Sequence, residues 1–270
     1  MENDLPLVSV CVITYDRLPI LQKTVSDFLE RCTYPRDKLQ LILCDDGSPQ
    51  PVQDEMRKLP FDKFLFAKTN EGLGKNTNKG IKLADGQYIL QLQDDWLLSG
   101  SENFIEKALE VFDEFPKIGM VRYESLYSNP YKIKQLHNGE PIWVLQDDLE
   151  LIKKSQDYAS YTDRPHIKRK EFHQQLGYYR EGVPMTKMEI DFVWRVAKQT
   201  DIKIAYIPGL NVFEHIGIDH SYNPGVKRTL LREKLLKNIF TKYPFRFYLS
   251  MKHQIIPSLY ASLKKYVVKA

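Results

Sequence analysis

Two adjacent carboxylates, Asp94 and Asp95, follow the apolar run Tyr88-Ile89-Leu90-Gln91-Leu92 with Gln93 between. The run reads as a buried strand, and strand ends are where an α/β sheet presents groups to a ligand. Like charges side by side repel and are costly to bury without a partner. A hard divalent cation, Mg2+ or Mn2+, would relieve that cost, because it takes oxygen ligands and shares them with a substrate phosphate. The plain alternative is a solvated Asp-Asp turn.

Three further segments belong with this one. Val12-Ile13-Thr14-Tyr15-Asp16-Arg17 ends a strand and turns into a helix, and Cys44-Asp45-Asp46-Gly47-Ser48 ends a second strand in turn residues. Asn70 to Gly80 is a glycine-rich loop that runs into a helix. All four segments stand at strand ends or in the loops joining them, so one crevice can collect them. The loop is not a Walker A motif: Thr69 stands where the first glycine is needed, and Asn76 where Ser or Thr is needed. Nor does it match the dinucleotide fingerprint. The backbone N–H groups about Gly74 and the Lys75 ammonium still offer an anion a place. The bland reading is a surface turn with a helix cap.

The elements that must position these groups alternate. Leu7–Ile13, Leu39–Cys44, Phe64–Ala67 and Ile118–Tyr123 read as strands, and Leu18–Cys32, Asn76–Ala84 and 104–112 as helices. Such alternation predicts an α/β fold with a mostly parallel sheet between helices. Glu124 to Asp163 is irregular and carries no readable period, and one of two readings of the charged run His166-Ile167-Lys168-Arg169-Lys170 is a solvated helix start. Helical periodicity returns over Glu189–Ala197 and Leu230–Phe240.

In order and spacing, these segments resemble family 2 glycosyltransferases, whose fold is GT-A. The resemblance rests on Thr14-Tyr15-Asp16-Arg17, Asp45-Asp46-Gly47-Ser48, Asn70-Glu71-Gly72, Asn78-Lys79-Gly80-Ile81 and Gln93-Asp94-Asp95, and covers roughly residues 5–220. The chain departs at Asp16, where the family has Asn, and at Gln93, where it has the first Asp of Asp-x-Asp. The resemblance implies a Rossmann-like sheet and an inverting transfer from a nucleotide-diphosphate sugar, UDP-linked, to a hydroxyl of a glycan or lipid-linked glycan. It implies that Tyr15 stacks on the base, Thr14 touches it through backbone and Asp46 accepts from a pyrimidine N–H. Asp94 would sit near the ribose and Asp95 would hold the metal. Met188 to Arg195 is similar to the family's Glu-Asp-x-Asp helix, which puts the catalytic base on Glu189, with Asp191 as the fallback, and Met188 in place of the first acid. The segment Phe213 to Ser221 looks like the late His-x-x-Gly stretch, and His215, in preference to His220, would complete the metal or diphosphate site. The other reading of His166 to Lys170 is that it resembles the segment leading into the family's acceptor region.

Composition bounds the rest. The chain has 270 residues, 43% hydrophobic and 27% charged, with no apolar run near the length of about 20 residues that a membrane span needs. The acidic start Met1-Glu2-Asn3-Asp4 does not read as a signal peptide. Cys11, Cys32 and Cys44 show neither metal spacing nor a disulfide framework, which points to a reducing, cytoplasmic setting. From Lys227 onward there are eleven Lys/Arg and one acid, a net of +10 against +4 overall, so the first 226 residues carry −6. A basic amphipathic tail of this kind suits an anionic membrane surface, or packs on the domain with its charges solvated. Nucleic acid is not an expected partner. The expected layout is a nucleotide-sugar-binding half over 1–100, an acceptor-binding and catalytic half over 101–222, and a C-terminal basic helical extension over 223–270. Two rival readings remain: a nucleotidyltransferase that makes nucleotide sugars, and a binding module of the same fold without chemistry.

Overall fold

A computed structural model describes residues 5–100, 103–124, 130–155, 158–199 and 201–217. Its frame is a nine-stranded sheet. β1 (Val8–Thr14) is buried at every residue, which is why its sequence is apolar on both faces. Val8, Val10 and Val12 enter one core, and Cys11 and Ile13 the other. β1 lies between β2 (Leu39–Asp45) and β4 (Tyr88–Gln93), parallel to both, and β3 (Lys63–Phe66) extends the sheet beyond β2. The register sets Thr14 beside Asp45 and Ile13 beside Gln93.

Beyond β4 the sheet continues through β9 (His166–Arg169), β6 (Ile118–Arg122), β10 (Lys203–Tyr206), β8 (Pro141–Leu145) and β7 (Tyr131–Gln135). Seven of the nine strands point one way; β8 and β9 run against them. The sheet is therefore mostly parallel, as the alternation requires. The chain leaves β1 towards β2 and β3 and then returns to β4 on the other side. The β1/β4 seam is thus a topological switch point, where open α/β sheets hold ligands.

Helices cover both faces. α1 (Leu18–Arg31), with Pro19 in its first turn where no N–H is needed, packs Leu21, Val25 and Phe28 into the first core. α2 (Gln50–Met56) follows β2, and α4 (Phe104–Glu114) adds Phe104, Ile105, Ala108 and Phe112 to the same core. α3 (Leu73–Leu83) and α7 (Met185–Lys198) supply Ile81, Met188, Phe192, Val193 and Val196 to the second core, with Phe172 and Leu176 of α6 (Glu171–Leu176). Cys11 and Cys44 are buried in it as free thiols, and burial pushes Cys11 up to about 12. They act as small apolar groups.

Two stretches correct the sequence reading. The irregular region holds a β7–β8 hairpin and α5 (Leu149–Lys154), capped by Asp148. His166–Arg169 is a buried strand with Lys168 fully covered, not a solvated helix start. A small second sheet pairs β5 (Trp96–Leu98) with β11 (Phe213–His215), setting His215 opposite Trp96. The basic tail and His220 lie outside the described residues. Among the described residues, no helix is long and apolar enough to cross a membrane.

Candidate active site

Asp45 and Asp46 divide their labour. Asp45 is buried and closes its own turn: its carboxylate accepts from Gly47 N–H at 3.2 Å, Ser48 N–H at 3.0 Å and Gln53 Nε2 at 2.9 Å, and from the Ser48 hydroxyl. Asp46 reaches across to the glycine-rich loop, accepting from Glu71 N–H and Gly72 N–H at 2.9 Å each. Burial raises its carboxyl above the ordinary range, against the pull of these two N–H groups. Between the turn and the loop, a Cβ on Gly47 would stand 2.4 Å from the Thr69 carbonyl carbon, and φ there is +88°. Only glycine fits.

The turn, the loop and the end of β1 wall a solvent-open cleft of about 180 Å³ at the switch point. Tyr15, Arg17, Asp46, Asn70, Asn76 and Gln93 all line it. Asn76 was not expected there. It is fully buried, its Nδ2 donates to the Cys44 carbonyl at 2.7 Å, and its Oδ1 has no hydrogen-bond partner. Thr14 lines the cleft too. Its carbonyl accepts the Asp46 N–H at 3.1 Å and its hydroxyl donates to Asp94 Oδ2 at 2.6 Å.

The paired acids do not wait for a metal to neutralise them. Arg17, at the start of α1, forks onto both: Nε lies 3.2 Å from Asp94 Oδ2, Nη2 bonds Asp94 Oδ1, and Nη1 lies 2.9 Å from Asp95 Oδ2. Asp94 is wholly buried, and Thr24 holds its backbone carbonyl at 2.5 Å. Burial pushes the Asp94 carboxyl up to about 7, against Arg17 and Thr14. Its side chain is spent inside the protein, so it supports the site from behind and does not line the cleft. Asp95 differs. Its Oδ2 faces Arg17 and, at 3.5 Å, His215 Nε2, whereas its buried Oδ1 has no partner. Burial opposes its ionisation, but His215 and Arg17 outweigh this and hold the carboxyl below the ordinary range.

Among the described residues, no cluster of three or more His, Cys, Asp and Glu side chains stands ready to encircle a cation. One orphaned carboxylate oxygen beside one imidazole is, however, the kind of partial set that Mg2+ or Mn2+ uses when substrate phosphates complete the shell. The residues fit such a cation. β11 makes this possible, because Ile216 N–H donates to the Asp95 carbonyl at 2.9 Å and fixes the strand beside the acid.

The loop cations are engaged elsewhere. Lys75 Nζ lies 2.6 Å from Glu71 Oε1, and Lys79 pairs with the other oxygen of Glu71. Gly74 is a packing residue: a Cβ there would meet the Arg180 carbonyl at 2.6 Å and Met188 Sδ at 3.1 Å. Neither Gly74 nor Lys75 lines the cleft. The same contact explains Met188 where the resemblance has an acid, since the position is buried against α3.

On α7, Glu189 and Asp191 point apart. Two residues along a helix are about 200° round it, on different faces. Asp191 pairs with Arg195 at 2.8 Å, and Arg195 also bonds the Leu176 carbonyl. Glu189 Oε1 accepts the Asp163 N–H at 3.4 Å. The buried Asp163 carboxylate accepts from Gln91 at 2.6 Å and Gln93 at 3.1 Å, and Lys168 Nζ donates to Gln91 Oε1 at 2.7 Å. Burial, with the Glu189 charge, pushes Asp163 up to about 7; burial pushes Lys168 down to about 7. Gln93, the departure from Asp-x-Asp, thus donates to a buried acid, where an Asp would repel it. The structure brings Tyr15, Asp46, Asp95, His215 and Glu189 to one end of the sheet; Asp191, Gly74 and Lys75 face other partners.

The model of Glycosyl transferase family 2 matches residues 9–178. A GalNAc(5)-diNAcBac-PP-undecaprenol beta-1,3-glucosyltransferase of Campylobacter jejuni is 25% identical over 179 residues, which cover 64% of this chain and 56% of that protein. The chain thus spans little more than half of this relative's length. Among solved structures, the mannosyltransferase PcManGT from Pyrobaculum calidifontis, in complex with GDP-Man and Mn2+, superposes with a TM-score of 0.55 at 15% identity over 77% of this chain and 56% of that one. S. aureus TarS 1-349 with UDP-GlcNAc gives 0.54 at 17% identity, over 80% and 62%. With its cleft at the switch point and the family's segments around it, the chain belongs to glycosyl transferase family 2, a family of transferases, and has the GT-A fold.

Proposed function

We propose that the chain is a metal-dependent, inverting glycosyltransferase that takes its sugar from a UDP-linked donor and passes it to a hydroxyl of a glycan or lipid-linked glycan. One observation carries this reading. Gln93 lines the cleft and bonds Asp163, whose N–H bonds Glu189, so two hydrogen bonds join the donor cleft to the acid. Tyr15 offers a ring for the base, and Asp46, held by the loop, offers carboxylate lone pairs to a uracil N–H. Asp95 and His215 would hold a divalent cation, which would supply charge neutralisation for the departing diphosphate. Glu189 takes the proton of the acceptor hydroxyl as its oxygen bonds the anomeric carbon. The bond from that carbon to the diphosphate breaks with its electron pair, and the single displacement inverts the centre.

The UDP-GlcNAc complex of TarS supports a UDP donor, and the Campylobacter relative's undecaprenol-linked acceptor supports a lipid-linked one. With such an acceptor the enzyme would work at the cytoplasmic face of a membrane, where the +10 segment from Lys227 would meet anionic lipid. The test is Glu189→Gln, assayed for transfer from a panel of UDP-sugars to undecaprenyl-diphosphate-linked glycans. UDP affinity should stay within about twofold while turnover falls by about a hundredfold or more. Wild-type turnover in that variant moves the base elsewhere.

A further inference from the structure

Arg17 is the group around which the acid pair is built, and the family segments alone did not show what it does. Its guanidinium is 16% exposed and takes up both oxygens of Asp94 and one of Asp95. Asp94, fully enclosed by Arg17, Thr14 and Thr24, has no oxygen to give a ligand in the cleft. Asp95 keeps a single unpartnered oxygen, Oδ1. A cation binding here alone would have one buried carboxylate oxygen and one imidazole, with a fixed positive charge on the other oxygen of the same carboxylate.

We propose that Arg17 is a positioning residue that makes cation binding depend on the nucleotide. It holds Asp95 in place, occupies Oδ2 and repels a bare divalent ion, so that the ion binds well only with the diphosphate that brings further oxygens and negative charge. This inference rests on the reading of Asp95 and His215 as the cation ligands. Arg17 touches neither base nor sugar in this scheme; it acts through Asp95. It also makes the acid pair tolerable in the free enzyme, where two buried carboxylates without a counter-charge would be costly.

The test is Mn2+ binding read from the electron-paramagnetic-resonance signal of the free ion, with and without UDP, on the wild type and on Arg17→Met and Arg17→Lys. For the wild type, Mn2+ alone should bind weakly and UDP should tighten it strongly. Arg17→Met frees Asp95 Oδ2 and removes the repulsion, so Mn2+ alone should bind at least about tenfold tighter, and the increment from UDP should shrink accordingly. Arg17→Lys keeps the charge and should leave Mn2+ alone as weak as in the wild type. Should the methionine variant not fold, Arg17→Gln, which retains a donor for Asp94, carries the same expectation. Unchanged or weaker binding of Mn2+ alone to the neutral variant overturns the proposal. The arm without nucleotide judges Arg17 by itself. Failure of wild type to bind UDP with Mn2+ speaks against the donor assignment instead.

Discussion

Asp46 and Gly47 show how tightly single residues are committed here. The Asp46 carboxylate holds the loop by two backbone N–H groups, and the loop lies so close that Gly47 cannot carry a side chain. Gly47→Ala combines positive-φ strain with a backbone clash and should cost about 2–4 kcal/mol. Urea denaturation would show this, with UDP affinity falling as the Asp46 contacts loosen; an unchanged midpoint would contradict the geometry. Asp46, Asp95 and Glu189 could be singled out in the sequence because each sits in a short pattern. The role of Arg17, and Asn76 and Asp163 altogether, could not, because what defines them is distant in the chain. Arg17 meets an acid 77 residues away, Asn76 a carbonyl 32 away, and Asp163 a glutamine 72 away. Gly74 and Lys75 misled for the converse reason: a glycine-rich loop invites an anion, yet here one glycine admits a neighbouring helix and the lysine has an acid a turn away.

At the scale of elements, β9 is the instructive case. Its Lys168 and Arg169 look like a solvated run, but Lys168 is fully buried between β4 and Tyr179, satisfied by Gln91 and the tyrosine hydroxyl. Apolar alternation cannot reveal a strand whose buried position is a lysine. The β7–β8 hairpin was hidden differently: β7 is exposed at every residue and carries Lys132 and Lys134 on the sheet edge, which discourages edge-to-edge pairing. Burial lowers Lys168 to about 7 from 10.5, so between those values the unfolded chain binds a proton that the folded one does not. Stability from this residue therefore rises with pH across that window, by roughly 1 kcal/mol per unit. Lys168→Met lacks that slope and leaves the buried Gln91 Oε1 and Tyr179 hydroxyl without their donor, a loss of about 1–3 kcal/mol at neutral pH. Denaturation of both proteins from pH 7 to 10 should show a widening gap; parallel curves would mean that Lys168 stays charged when folded.

Over the whole molecule, chain direction does what no single motif can. The excursion from β1 to β3 and the return to β4 open a seam, and the turns at both its sides carry the groups that meet there. β11 then brings His215 to Asp95 from more than a hundred residues along the chain, and α7 brings Glu189 to Asp163. Strand–helix alternation was readable because it repeats; these two late arrivals rest on long-range pairing, and the order of family-like segments alone pointed to them. We propose that this convergence makes a metal-assisted UDP site. Calorimetric titration of UDP, GDP and CDP, with Mn2+ and with chelator, on wild type and Asp95→Ala, tests it most directly. The expected result is preferential UDP binding that needs Mn2+ and is lost in the variant. Binding of none of the three nucleotides, or equal UDP affinity with chelator and in Asp95→Ala, would contradict it.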